Sequence, residues 1–441
     1  MLKVLKFGGS SLADSSQFRK VKDIVDSDSA RQVVVVSAPG KRHSDDNKIT
    51  DLLYLIHAHM KYGVSYDSIL VMIMDRYAEI RQTLGLTTEI EKIIDETFAG
   101  IDKKTPVDYI VSRGEYFCAR LMAEYLGFHF VDAADWLMFD YEGKVDTAAT
   151  EKKLREYKDS YGTIVTPGFY GAMPNGDVRV FPRGGSDITG AIAAAALNAD
   201  VYENWTDVSG ILMVDPRIVP DPKTIARVTY DELRELSYMG ASVLHEDTVF
   251  PVRLKDIPVN IKNTNAPDDP GTIIRENFDD ELEEEHERFI TGIAGKRNFS
   301  IINIYKSRIG EDKLGLLRQV LEVFARYGVP VEQIPSGVDS FSVVFPSDSI
   351  RVKKYDLMHE LSENEMIDNC SLTEGISLIA IVGRQMAYRT GVSGKIFKAL
   401  GENHVNIRTI QQGSDEINIM VGVFDEDFNT AIRVLYESFA K

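Results

Sequence analysis

Three short stretches carry residue types suited to holding anions. In Lys6-Phe7-Gly8-Gly9-Ser10-Ser11 a fixed positive charge precedes two glycines at the end of an apolar run. Glycines at such a turn let backbone N–H groups approach phosphate oxygens closely, and the lysine adds charge. Read alone, a Gly-Gly pair after a strand is an ordinary turn. In Arg183-Gly184-Gly185-Ser186-Asp187 an arginine and two glycines open a run of small residues. A helix N-terminus behind glycines suits an anion, and arginine offers a two-pronged fork to a carboxylate. Asp187 either pairs with an ammonium group or serves as an N-terminal helix charge, with Ser186 as a plain cap. Thr206-Asp207-Val208-Ser209-Gly210, followed by Asp215-Pro216-Arg217, either meets a ribose and phosphates or makes a turn. No GxxxxGK[ST] occurs, so a nucleotide here is not held by a P-loop.

These stretches need strands and helices to bring them together. Residues 2–7 read as a strand, 17–27 as a helix, and 32–37 (QVVVVS) as an apolar strand buried on both faces. A polar loop, 39–48, leads to a helix from about Thr50. Residues 84–100 read as helical, 109–112 as the end of a short strand, and 115–126 as a helix. Further strands are expected at 128–132, 163–166, 178–181 and 201–205, with a small-residue helix at 186–197. Alternating βα units predict a mostly parallel sheet covered by helices, with ligands at the carboxyl ends of its strands.

The chain has 441 residues, which predicts two to four domains at roughly 100–200 residues each. Hydrophobic residues make up 44% and charged residues 27%, a globular balance. The formal net charge of −18 argues against nucleic-acid or anionic-membrane binding, so any anionic substrate needs local donors. Cys118 and Cys370 form no CxxC pair and read as reduced thiols rather than a metal site or disulfide. Neither a signal-peptide core nor a run of about 18 apolar residues is present, which predicts a cytoplasmic protein.

Residues 276–288 (ENFDDELEEEHER) are densely acidic and read as a solvated linker or surface helix that marks a domain boundary. Beyond them lies a weak repeat with the βαββαβ order of a ferredoxin-like unit. The first copy has strands at 299–305, 329–334, 340–345 and 366–373, with helices at 314–327 and 352–363. The second has strands at 376–383, 405–411 and 416–424, with helices at 391–403 and 428–439, and lacks a fourth strand. A spare strand at 289–295 is expected to complete it, which makes the first unit an insertion within the second.

Taken in order, the motifs resemble those of the aspartate kinases, amino-acid-kinase superfamily members, in their monofunctional, lysine-sensitive form. The carriers are KFGGSS (6–11), VVSAPGK (35–41), KITDLL (48–53), SRGE (112–115), GFYG (168–171), RGGSD (183–187), WTDVSGI (205–211), DPR (215–217) and GASVLH (240–245). The resemblance implies an amino-acid-kinase (carbamate-kinase-like) α/β fold over residues 1–275, with a mostly parallel sheet sandwiched by helices. It implies an acidic linker over 276–289 and two ferredoxin-like ACT units, one from 290–297 plus 375–441 and the other, inserted, from 298–374. No dinucleotide-binding domain follows residue 441, so a homoserine dehydrogenase fusion is not expected.

By resemblance, the reaction is ATP-dependent phosphorylation of the L-aspartate β-carboxylate to 4-phospho-L-aspartate, the first step toward lysine, threonine and methionine. Lys6 and Asp187 map to catalytic positions. Substrate contacts map to Ser37, Ala38, Thr50, Glu115, Phe169, Arg183, Ser186 and Asp187, with Arg183 clamping the α-carboxylate. Nucleotide contacts map to Lys6, Gly8, Gly9, Ser10, Thr206, Asp207, Leu212, Asp215 and Arg217, with Mg2+ carried mainly on the phosphates and no protein metal ligand assigned. Leu212 stands where relatives have a tyrosine near the adenine, and Ser242 where they have a lysine; Lys223, Lys255 and Lys262 are candidates to replace that charge. His245 reads as structural, and the loop 39–48 as a lid. Effector contacts map to Leu316, Leu317, Val331, Glu332 and Ser336, with L-lysine, or threonine, as feedback inhibitor. ACT pairing implies a homodimer or a dimer of dimers. The rival readings are a related amino-acid kinase and a catalytically silent amino-acid sensor.

Overall fold

Val33–Val36 are all fully buried, as a strand covered on both faces requires, and they lie in β2 (Arg31–Val36). The strand β1 (Lys3–Phe7) pairs with it in parallel. The computed structural model describes residues 1–182, 184–241, 244, 246–278, 290–307, 313–384, 386, 389–413 and 417–440. These divide into two compact units: residues 1–211, 224–230 and 243–278 form the first, and 212–223, 231–242 and 279–441 the second. Among the described residues no helix is long and apolar enough to cross a membrane.

In the first unit the chain runs β1, α1 (Ser15–Asp26), β2, α2 (Ile49–Tyr62), α3 (Asp67–Leu84), α4 (Ile90–Ala99) and α5 (Val107–Leu126). It continues through β3 (His129–Phe130), α6 (Ala133–Trp136), α7 (Thr147–Tyr161), β4 (Ile164–Pro167), β5 (Tyr170–Ala172), β6 (Val178–Val180), α8 (Gly185–Leu197) and β7 (Val201–Thr206). Then follow β8 (Arg227–Thr229), α10 (Glu246–Arg253), β9 (Val259–Asn263) and β10 (Thr272–Arg275), while α9 (Tyr230–Tyr238), which precedes α10 in the chain, belongs from Asp231 on to the second unit. The main sheet has the order β3-β4-β2-β1-β7-β9-β10-β8, with only the β9–β10 pair antiparallel. Helix α1 shows how the sequence sets these elements. Asp14 accepts from the Ser16 and Gln17 N–H groups as N-cap, and Phe18, Val21, Ile24 and Val25 form its buried stripe.

Three expectations are corrected here. Residues 109–112 belong to α5, because a four-residue apolar run does not distinguish a strand from a buried helix turn. Residues 178–180 leave the main sheet and pair with β5 as a separate hairpin. Of the stretch 84–100 read as helical, only 90–99 forms a helix, α4, while Leu84 ends α3 and Gly85 adopts φ +67 as its left-handed C-cap. Cys118 is buried and Cys370 half-buried, and both are free thiols.

The second unit contains β11 (Gly292–Tyr305), α11 (Lys313–Arg326), β12 (Ser340–Pro346), α12 (Lys354–Ser362), β13 (Asn369–Val382), α13 (Val392–Glu402), β14 (Thr409–Gln412), β15 (Asn418–Phe424) and α14 (Phe428–Phe439). One antiparallel sheet, β12-β11-β13-β15-β14, runs through both repeats. The strands expected at 289–295 and 299–305 fuse into β11, and those at 366–373 and 376–383 into β13. Gly292–Lys296 of β11 is in register with Val382–Leu378 of β13, in the second repeat. The expected strand at 329–334 is reduced to isolated bridges, Gln333 with Val344 and Ser336 with Phe341. Two apolar cores flank the sheet, one under α11 and α12 and one under α13 and α14. Val214 and Val219 belong to the latter. Residues 212–223 and 231–242 therefore pack with this sheet although they precede the acidic stretch. Most of the acidic stretch, 279–289, lies outside the described residues, and the packing boundary follows buried apolar side chains.

Candidate active site

Lys6 is in register with Asn204 across the β1–β7 pair, so both side chains leave the same face of the sheet. Lys6 is only 7% exposed, and its ammonium lies 2.7 Å from Asp187 Oδ1 and donates to Asn204 Oδ1 at 3.4 Å. Asn204 Nδ2 in turn donates to Asp187 Oδ1 at 2.7 Å, and Tyr202 OH to the Asp187 carbonyl at 3.1 Å. Asp187 stands in the first turn of α8, where the helix macrodipole favours its charge. A Cβ at Gly8 would lie 3.4 Å from Lys6 Nζ, so the ammonium sits against the glycine turn. Asn204 was not singled out from sequence. Its signal is a polar residue inside the otherwise buried strand β7, opposite Lys6.

The carboxyl ends of four adjacent parallel strands frame this point. Gly8 N–H donates to the Trp205 carbonyl at 3.0 Å, Ser37 N–H to Phe7 at 3.2 Å, and Gly168 N–H to Val36 at 2.9 Å. Gly8, Gly9 and Ser10 are half-buried, with Gly9 and Ser10 in a 3-10 turn at Gly9–Leu12. Gly9 tolerates no Cβ, which would come 2.9 Å from the Ala38 carbonyl. Thr206 ends β7, and its hydroxyl donates to the exposed Asp207 at 3.1 Å.

Glu115, from the middle of α5, closes the other side. It is 5% exposed and accepts from the Ala38 N–H, while its Oε2 has no partner. Burial pushes its pKa up to about 8, against the opposing effects of that backbone hydrogen bond and of Arg113. Gly114 lets α5 approach this closely, since a Cβ there would lie 2.8 Å from Ala38 Cβ. Ser37 and Thr50 are half-buried, Thr50 at the start of α2. Phe169 holds φ +80, a conformation that costs about 1–3 kcal/mol for a non-glycine residue. Its N–H donates to Thr189 Oγ1 at 3.0 Å. Cβ atoms at Gly168 and Gly185 would come 2.8 Å from Ser186 and 2.5 Å from Phe169, so these glycines permit the turn and the start of α8 to touch. Contacts and chain neighbours thus join Lys6 with Asp187, Ser186 and Phe169, and Gly9 with Ala38 and Glu115.

The loop 39–48, expected as a lid, is fastened down. Gly40 N–H donates to Gly9 at 2.8 Å, and the buried Asp46 accepts from Arg42 Nε at 2.9 Å. Arg183, Ser242 and His245 lie outside the described residues. Of the lysines expected to replace a charge lost at Ser242, Lys223 donates to the Ala440 carbonyl, and Lys255 to Glu151 and Asn198. Lys262 lies 5.3 Å over the Trp205 ring, in register with Trp205, and so points off the sheet face opposite Lys6. Neither Lys255 nor Lys262 is directed at the glycine turn, and Lys223 belongs to the second unit. Leu212, Asp215 and Arg217 belong to the second unit. Leu212 is half-buried, and the exposed Arg217 pairs with Asp215 at 2.6 Å.

In the second unit Leu316 is fully buried, Leu317 half-buried, and Val331 and Ser336 exposed. Glu332 is not merely solvated. Its N–H donates to Val344 at 2.8 Å, and its Oε2 accepts from Tyr238 OH at 2.7 Å. Tyr238 shares one face of α9 with Glu232 and Glu235, at i, i+3 and i+6. Glu232 accepts from Thr291 Oγ1, and Glu235 from Asn418 Nδ2. Sequence reading did not assign Tyr238 to this unit.

A fixed ammonium, glycine turns and a helix N-terminus at the carboxyl ends of a parallel sheet make a site suited to holding anions. The Amino acid kinase family matches residues 1–263, and the ACT domain family residues 379–439. Aspartokinase 3 of Bacillus subtilis is 36% identical over 99% of this chain and 98% of its own. The crystal structure of Clostridium acetobutylicum aspartate kinase, an allosteric enzyme, superposes with a TM-score of 0.90 at 46% identity, over 99% of each chain. Two structures of E. coli aspartokinase III, each 26% identical over the whole of both chains, match with TM-scores of 0.72, with aspartate and ADP bound, and 0.74, with lysine and aspartate bound. The chain belongs to the aspartokinase family. Its activity is ATP-dependent phosphorylation of aspartate, regulated through an ACT region.

Proposed function

We propose that the phosphoryl group passes in line from ATP to the β-carboxylate of L-aspartate beside Lys6, giving 4-phospho-L-aspartate. The nucleophile is already ionised, so no general base is needed. Catalysis is positioning and charge neutralisation by the Lys6 ammonium and the N–H groups of Gly8, Gly9 and Ser10. Asp187 and Asn204 hold Lys6 in place. Glu115 receives the α-ammonium of aspartate on its open Oε2, and Arg183 takes the α-carboxylate. Thr206 and Asp207 face the nucleotide, with Leu212, Asp215 and Arg217 as its further contacts. Among the described residues no group of three or more Asp, Glu, His or Cys side chains converges on a point. We assign Mg2+ mainly to the phosphates and water, where this hard cation usually stays. It supplies charge neutralisation when bound.

The observation that carries this reading is the buried Lys6 ammonium, clamped by Asp187 against the Gly8 turn. The test is an ATP-dependent aspartyl hydroxamate assay with and without lysine and threonine. Hydroxamate formation with aspartate and not with glutamate is the expected result. Its absence assigns the chain to a silent sensor.

For regulation we infer L-lysine as the effector, on the strength of Glu332 as a carboxylate for a cationic side chain and of lysine bound to E. coli aspartokinase III. Leu316, Leu317, Val331 and Ser336 would surround it. Two ACT units, 290–297 with 375–441 and the inserted 298–374, meet those of a second copy in at least a homodimer, acting in the cytoplasm. Tyr238 competes with the effector for Glu332. Tyr238→Phe is expected to lower the lysine concentration for half-inhibition by about three- to tenfold, the worth of one hydrogen bond, and Glu332→Gln to raise it. Inhibition curves check both, and two unchanged curves remove Glu332 from the effector site.

A further inference from the structure

We propose that Arg76 is a positioning residue for phosphoryl transfer, holding the glycine turn that faces the phosphates through contacts to both of its flanks. Arg76 lies on α3, remote in sequence from every motif above, and is 5% exposed. Its Nη1 donates to the Gly40 carbonyl at 2.9 Å and to the Ala13 carbonyl at 3.4 Å. Ala13 is the C-cap of the turn at Gly9–Leu12. Gly40 is the residue whose own N–H reaches the Gly9 carbonyl at 2.8 Å. The two bonds close a ring: Gly9 to Gly40, Gly40 to Arg76, Arg76 to Ala13, and back along the turn to Gly9. One guanidinium thereby fixes the turn and the segment after β2 against each other.

The arginine is itself fixed. Its Nη2 donates to Asp46 Oδ2 at 2.5 Å, and the same carboxylate accepts from Arg42 N–H at 3.0 Å and Arg42 Nε at 2.9 Å. Arg42 Nη1 returns to Glu79 of α3 at 2.9 Å. Any buried arginine needs acceptors besides its carboxylate, so what marks Arg76 is where those acceptors lie. Here two of its acceptors are backbone carbonyls on the two flanks of the turn. Lysine cannot reproduce this, because its ammonium is a point charge without the planar fork that spans separate acceptors. The packing explains the glycines too: a Cβ at Gly40 would lie 2.7 Å from the Gly9 carbonyl carbon. The turn and the loop touch backbone to backbone, so a displaced loop displaces the phosphate-facing N–H groups.

The inference rests on the reading of Gly8–Ser10 as the phosphate turn, and the experiment separates the two. Arg76→Lys and Arg76→Met in the full chain are expected to lower kcat by about ten- to a hundredfold, the scale of a 1 Å misplacement, and to raise the KM for ATP. The KM for aspartate should stay within about twofold, since Glu115 and Ala38 are held by α5. If Lys restores kcat, Arg76 only neutralises Asp46 and the inference is overturned. A lower Tm with unchanged kcat and KM for ATP overturns it as well. Should both variants fail to fold, Asp46→Asn, which keeps the volume and removes the charge, must show the same kcat and ATP pattern in weaker form; unchanged kinetics there count against the inference. Lys6→Met runs in parallel. If it loses turnover while Arg76→Met does not, only the role of Arg76 fails; if neither loses it, the phosphate-turn reading fails.

Discussion

Lys6→Met is expected to lower kcat by about a hundred- to a thousandfold while the KM for aspartate changes little, because the ammonium acts on charge that develops in transfer. The structure makes this a local effect. Lys6 is held by Asp187 and Asn204, and β1 keeps its register through Val4, Leu5 and Phe7, which are fully buried. Methionine matches the length of the stem and leaves the packing of Val4, Leu5 and Phe7 in place. Its cost is the lost charge, together with Asp187 left without its cation. Steady-state kinetics in both substrates measure the split. An unchanged kcat removes Lys6 from the mechanism, and a large rise in aspartate KM alone moves it to substrate binding.

The second large effect concerns Glu115. Burial raises its carboxyl to about 8, so at neutral pH the empty site holds mainly the neutral acid. An ammonium group binds the ionised form. Aspartate binding below about pH 8 therefore releases a proton, and the KM for aspartate should fall by about tenfold per pH unit from roughly pH 6 toward 8, then level off. Stability of the unliganded protein runs the opposite way. The folded state holds a proton that the unfolded chain, with an ordinary carboxyl, has lost, so rising pH through this window weakens the fold. Glu115→Gln should abolish the pH slope and raise the KM by about a hundredfold or more, since it strips the partner from a buried ammonium. Calorimetry in buffers of different ionisation enthalpy reads the proton directly. A KM flat between pH 6 and 8 in the wild type would refute this assignment.

Much of this site was legible in the sequence because its parts are turns. Glycines at 8, 9, 184 and 185 and the small residues after Asp187 carry their reasons locally, and the strand-helix alternation sets them at one end of a sheet. What escaped reading depends on partners distant in the chain. Asn204 matters because β1 and β7 are neighbours in register, and no local pattern states that pairing. Arg76 looks like one charge on an amphipathic helix until the fold buries it beneath the loop at 40–46. Tyr238 and residues 212–223 precede the acidic stretch, so composition assigned them to the catalytic region, whereas Val214 and Val219 pack beneath α13 and α14. The run at 109–112 was misread for a different reason. Short apolar segments look alike in helix and strand until burial on all sides is known.

The two repeats of the second unit share β11 and β13 end to end, each strand 14 residues long. Neither module can shed its sheet without tearing strands that the other needs. Thermal or denaturant melting of this region should therefore proceed as a single cooperative step, with no half-folded species in which one repeat survives alone. A polypeptide cut between the repeats would inherit two halves with raw edges, not two domains.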